Sequence, residues 1–245
     1  MAVSVLVALS SAVACGGSPG KAAGTSAAEA QGRDLSGSNT PDKPWSEADL
    51  NRVALSVKDL DAYDVNRAVV GVGASRRTAD PAMCGPIAQT LGQSSSSYAA
   101  TARVGRLFLS KGDESGADMT LASHNAEDAR RVVQAFRTAA ERCTAFTDVE
   151  ESWGYEAVEV QPDPGYGDES VSLRLTQVVS FPDEAPVKVP FAVVVARMGT
   201  TVAMFYTFNR PRGPQGKSPA SVPDDIVRAQ LEKIGELEAS AAALQ

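Results

Sequence analysis

From residue 157 to residue 208 the chain offers four β-type segments with no helix between them. Residues 157–160 are short. Residues 170–179 alternate, with Val171, Leu173 and Leu175 on one face and Ser172, Arg174 and Thr176 on the other. Residues 191–196 form an unbroken apolar run, the pattern of a central strand covered on both faces. Arg197-Met-Gly-Thr200 reads as a turn, with Gly199 able to take a positive φ, and residues 201–208 return. Strands joined by short turns pair antiparallel, because a parallel pair needs a long crossover. Residues 100–109 and 117–123 read the same way, as a hairpin about Lys111-Gly-Asp-Glu-Ser-Gly116.

Helical segments flank these strands. Over residues 124–142, Ala129, Val132, Val133, Phe136, Ala140 and Cys143 recur at helical spacing. Arg130, Arg131, Gln134, Arg137 and Glu141 fill the opposite side. Asn125 is placed to cap this helix, and Glu127 and Asp128 suit its positive N-terminal end. A last helix is expected over residues 223–239, with Pro223 in its first position and Val227, Leu231 and Ile234 inward. Short helical pieces are expected at 49–54, capped by Ser46, at 57–63, and from Cys84 to residue 91. Residues 65–73 alternate weakly. No βαβ alternation and no repeat occurs. The expected class is α+β: an antiparallel sheet with helices packed on one face, preceded by a disordered tether.

The tether is read from composition. Residues 16–43 are rich in Gly, Ala, Ser and Thr and hold almost no large apolar residue, so they cannot offset their ordering entropy. Residues 44–245 suit one domain. Residues 1–14 are uncharged and apolar, the length of a signal-peptide core and too short for a spanning helix of roughly 20 residues. No Lys or Arg precedes them, where a secretory signal carries one. The run ends in Ala12-Val-Ala-Cys15. This resembles the lipobox of bacterial lipoproteins, although Ala12 stands where that pattern prefers Leu or Val. The resemblance implies cleavage before Cys15 and lipid attachment to it. The chain would then be a membrane partner through that anchor, on the extracytoplasmic face of the cell membrane. An ordinary cleaved signal, or an apolar tail with an incidental cysteine, remains open.

With Cys15 lipidated, Cys84 and Cys143 are an even pair in an oxidising compartment, and a disulfide is their expected state. Two buried free thiols are the alternative. A metal site is not expected, because two isolated cysteines and one histidine lack ligand spacing. No cofactor is expected either: Gly71-Val-Gly73 lacks the rest of a phosphate loop. The net charge of −7 and the want of a basic cluster argue against a nucleic-acid partner.

Asp80-Pro-Ala-Met-Cys84, the helix running into Cys143, the pair 192–197 with 201–206, and residues 226–234 together resemble actinobacterial cell-surface lipoproteins. They also resemble the extracellular sensor domains of actinobacterial serine/threonine kinases. The kinase domains often carry a second disulfide, for which this chain has no cysteines. The resemblance implies an extracytoplasmic ligand-sensing or binding module, with no catalytic residue.

Chemistry is sparse. His124, the one histidine, stands beside Ser123 at a helix start without a nucleophile elbow, and a solvated or helix-entry role is expected. The carboxylates Asp148, Glu150 and Glu151, and Asp163, Asp168 and Glu169, fall in expected turns and read as solvated. Tyr155 is a further candidate to stack on a ligand, and Trp153 reads as a packing or turn residue. Two loops are candidate binding elements. Residues 161–169 are acidic with Tyr166 at the tip, and residues 209–217 carry Arg210, Arg212 and Lys217 toward an anionic envelope ligand or a protein partner. The expected function is a membrane-anchored, extracytoplasmic lipoprotein with a non-catalytic ligand- or partner-binding domain. Its rivals are an envelope-acting hydrolase, which needs carboxylates converging in a cleft, and a purely structural interaction module, which needs an exposed apolar patch.

Overall fold

The computed structural model describes residues 43–92, 96–112, 116–180, 182–210 and 218–242. The signal segment, Cys15, the expected tether up to residue 42, Arg212 and Lys217 lie outside them. In chain order the elements are α1 (Glu47–Val53), β1 (Tyr63–Ala68), β2 (Ala79–Asp80), a 3-10 turn (Ala82–Cys84), α2 (Gly85–Leu91), β3 (Ala102–Ser110), β4 (Gly116–Ser123) and α3 (Ala126–Arg142). Then follow β5 (Phe146–Asp148), β6 (Trp153–Val160), β7 (Glu169–Val179), β8 (Val187–Met198), β9 (Thr201–Phe208) and α4 (Asp224–Ala242).

The described strands form one sheet of order β1-β3-β4-β9-β8-β7-β6-β5-β2. Every pairing is antiparallel. β8 is interior, as its apolar run requires, and Gly199 closes the β8–β9 turn at φ 56. Residues 191–197 are all buried because both faces of β8 are covered.

The helices therefore lie on both faces, not on one as the sequence suggested. Ala192, Val194 and Ala196 of β8 join Phe205, Met119, Leu121 and Phe108 under α1 and α4, which contribute Leu50, Val53, Ile226 and Ile234. Val193 and Val195 point the other way, with Leu173, Leu175, Val202 and Met204, under α2 and α3. Ile87 of α2 and Val132, Val133 and Phe136 of α3 fill that second layer. Side chains in a strand alternate between faces, so one apolar run serves two cores.

Local signals explain the helix starts. Ser46 Oγ accepts the Asp49 N–H while Asp49 accepts the Ser46 N–H, a complete capping box. Asn125 Oδ1 accepts the Asp128 N–H at 2.8 Å, which starts α3. The helix expected at 57–63 does not form. Ser56 and Asp59 bond each other in a turn, with the Asp59 N–H donated to the Ser56 carbonyl, and Tyr63 already belongs to β1.

The connection from β1 to β2 runs from one edge of the sheet to the other. It is held along its path: Ala100 N–H donates to the Val72 carbonyl, Ser75 N–H to the Ser96 carbonyl, and Gln89 Nε2 to the Arg77 carbonyl. Gly105 of β3 lets it pass, since a Cβ there would lie 2.9 Å from the Ala68 carbonyl oxygen.

Candidate functional site

Cys84 and Cys143 are joined, with sulfurs 2.09 Å and Cα atoms 5.5 Å apart. Both are buried, at 0% and 2% exposure. The bond ties the 3-10 turn before α2 to the C-terminus of α3, which sequence had expected, and it excludes the free-thiol alternative.

Of the candidate loop residues, Arg210 and Tyr166 are described, and Arg212 and Lys217 lie outside the described residues. Arg210 is exposed. Tyr166 is not a ligand-stacking tip: it is 9% exposed, its hydroxyl donates to Asp224 Oδ1 of α4, and the Arg228 guanidinium lies 5.4 Å from its ring centre. Burial, then the bonded Asp224, push its phenol up to about 12. Gly165 and Gly167 flank it at φ 67 and 59, and a Cβ on Gly167 would collide with the Arg197 carbonyl. Tyr166 thus docks the 161–168 loop onto α4. Tyr155 is likewise internal, stacked on Phe146 at 4.7 Å between ring centres and accepting from Gln177 Nε2. Trp153, read as a packing residue, leaves 42% of its surface exposed at the start of β6.

The acidic clusters hold the fold together. Asp148, with no exposed surface, pairs with Arg77 Nε, and Glu150 Oε2 accepts the Thr78 N–H at 2.8 Å. That backbone bond holds the Glu150 carboxyl below its ordinary range. Asp163 Oδ1 accepts from Ser170 Oγ and from the Gly165 N–H, and the serine contact lowers it in the same way. Arg197 is gripped from two sides, by Asp168 at 2.8 Å and Glu169 at 2.9 Å, and Asp168 also accepts the Gly199 N–H. These carboxylates pin turns to strands.

Two titratable groups escape that pattern. His124 stands at the entry to α3 as expected but is not solvated: it is only 1% exposed, and neither imidazole nitrogen makes a well-formed hydrogen bond. Burial pushes it down to about 4; the nearby Arg103 charge acts in the same sense, and Asp128 and the Ala99 carbonyl oppose it. Glu238 of α4 is pushed up to about 7 by burial and by Asp168, against the pull of Arg197. Its Oε1 is buried without a partner.

Among the described residues, a groove of about 480 Å³ runs along α3. Ala135 and Ala139 are among the α3 residues that line it, and Met83, Pro86 and Tyr98 line it from the α2 side. Arg131 and Arg142 are its only charged lining residues. The Cys84–Cys143 bond fastens one wall to the other. Met83 is 53% exposed, although it is large and apolar. Its volume lies within the usual range for ligand sites, roughly 300–1,000 Å³. The sequence reading missed this groove. Its signal was the spacing Arg131, Ala135, Thr138, Arg142, which is i, i+4, i+7 and i+11 on one side of a helix. The α2 side, some 50 residues away in sequence, carried no such signal.

Among the described residues no group of three or more His, Cys, Asp or Glu side chains is arranged to hold a metal ion, and no helix is long and apolar enough to cross a membrane. No protein-family model matches the chain. No curated protein matches it either.

Proposed function

We propose that this chain is a lipoprotein, held on the extracytoplasmic face of the cell membrane by acyl chains on Cys15. Its folded domain binds a ligand or partner there and does no chemistry on it. The observation that carries the reading is the Cys84–Cys143 disulfide. Structural disulfides belong to oxidising compartments, and pairing these two leaves Cys15 as the one cysteine for another use. The short apolar run before Cys15 supports export. More than one acyl chain on a single cysteine satisfies the two-signal requirement for stable anchoring. The groove beside the disulfide supports binding. The rival hydrolase is disfavoured because its candidate acids are already spent on Arg77, Thr78, Ser170 and Arg197.

Fractionation of cells expressing the full chain tests the anchor. The wild type is expected in the membrane fraction, and Cys15→Ala in the soluble extracytoplasmic fraction. A Cys15→Ala protein that stays with the membrane overturns the proposal.

A further inference from the structure

The groove along α3 carries charge of one sign only, in a chain whose net charge is −7. Arg131 and Arg142 stand three helical turns apart on the same side of α3, about 16 Å at 1.5 Å per residue. Between them the helix presents the small side chains of Ala135, Thr138 and Ala139, which let another chain approach closely. Met83, Pro86 and Tyr98 form the apolar opposing wall. Arg131 is already oriented by Glu127 and by Asp128, the latter at 3.3 Å, and both acids lie outside the groove lining. A guanidinium has five donors, so this engagement leaves some free for an incoming carboxylate.

We infer that this groove docks an extended acidic segment of a partner protein. The inference rests on the binding role proposed above and names its site and chemistry. An extended strand rises about 3.3 Å per residue and its side chains alternate between faces, so carboxylates six positions apart, about 20 Å, point to the same side and come within reach of the two long arginine side chains. Aliphatic side chains at alternate positions between them point to one side and seat on Ala135 and Ala139, against Met83 and Tyr98. A single-headed amphiphile, such as an alkyl phosphate, would use one arginine and leave the other idle. A basic segment would meet two like charges.

The probe is a fluorescein-labelled heptapeptide, Asp-Thr-Leu-Thr-Leu-Thr-Asp, with both acids and both leucines on one face of the strand, titrated by polarisation against the full-length protein. Saturable binding is expected at low salt. Arg142→Glu and Ala135→Trp should each weaken it about tenfold or more, the first by charge and the second by filling the groove. Arg142 is exposed, so its variant is expected to fold, and a thermal melt checks both. The analogue with lysine at both ends should not bind. The inference is overturned by a failure of the acidic peptide to bind, by equal binding of the two peptides, or by unchanged affinity in both variants. Decyl phosphate bound in a way that needs Ala135 but not Arg131 overturns it in favour of an amphiphile. If the peptide fails while the wild type still fractionates with membranes, the docking assignment falls and the anchored-lipoprotein reading stands.

Discussion

Buried His124 and half-buried Glu238 titrate in opposite senses, so their effects on stability run in opposite directions with pH. His124 sits near 4 in the folded chain and near the ordinary histidine value of 6.5 when unfolded. Its folded pKa is depressed, so the folded state binds fewer protons than the unfolded state between those values. Its contribution is therefore complete above about 6.5 and is lost as pH falls toward 4. At pH 5 the unfolded imidazole is almost fully charged and the folded one about a tenth charged, which costs about 2 kcal/mol relative to pH 8. Glu238 runs the other way. Its folded pKa is raised to about 7 from 4.5, so stability is greatest below 4.5 and declines as pH rises through 7. Because Glu238 is only partly buried, solvent screening reduces its effect to about 1–2 kcal/mol over the same interval. The two nearly offset each other, so wild-type stability should change by less than about 1 kcal/mol from pH 8 to pH 5.

Single variants expose the halves. His124→Leu removes the acid penalty, and its urea midpoint should rise as pH falls from 8 to 5. Glu238→Gln removes the acid benefit, and its midpoint should fall by the equivalent of about 2 kcal/mol. The interval stops at pH 5 because the lowered carboxyls, Asp49, Asp59, Glu150, Asp163 and Asp224, lose most of their contributions only below that pH. Urea titrations of the full-length chain at pH 5, 6, 7 and 8 make the measurement. If both variants track the wild type in parallel, the burial argument for His124 and Glu238 is refuted.

Other perturbations test the fold. Replacing Cys84 and Cys143 together by Ala opens a loop spanning 59 residues and should cost about 4 kcal/mol, lowering the thermal midpoint by roughly 10 °C in calorimetry. Phe136→Ala, at 1% exposure under the second face of the sheet, should cost about 3–5 kcal/mol in a urea titration. Ser46→Ala removes one half of a capping box at an exposed helix start and should cost only about 1 kcal/mol.

Periodicity made much of the fold legible. The alternation of 170–179 and the unbroken apolar run 191–196 became neighbouring strands in a single register. The stripe of α3 buried Ala129, Val132, Val133 and Phe136 as its spacing demanded. The placement of the helices was misread, although its correction lay in the same run. A strand apolar at every position needs cover on both faces, and so helices on both. Strands β2 and β5, of two and three residues, are too short to show a period, and they form only where the long crossing segment meets the β6 hairpin.

The candidate site was harder to read, because its parts are joined only in space. Tyr166 looked like a loop tip, yet its partner Asp224 lies 58 residues away. His124 looked like a helix entry, but besides Asp128 of the helix it opens, Ala99 and Arg103, over 20 residues earlier, also lie against it. Half of the groove was visible as the Arg131–Ala135–Thr138–Arg142 stripe. The other half depended on where the disulfide brings Met83 and Pro86. Knowing that Cys84 and Cys143 pair does not by itself reveal the apolar wall that the pairing creates.

The central claim, a lipid-anchored extracytoplasmic binding protein, is tested most directly at Cys15. Mass spectrometry of the N-terminal peptide of the protein extracted from membranes gives the answer. The mature chain is expected to begin at Cys15 and to carry acyl chains on it. A Cys15 with a free thiol, or a mature chain that begins elsewhere without lipid, would contradict it.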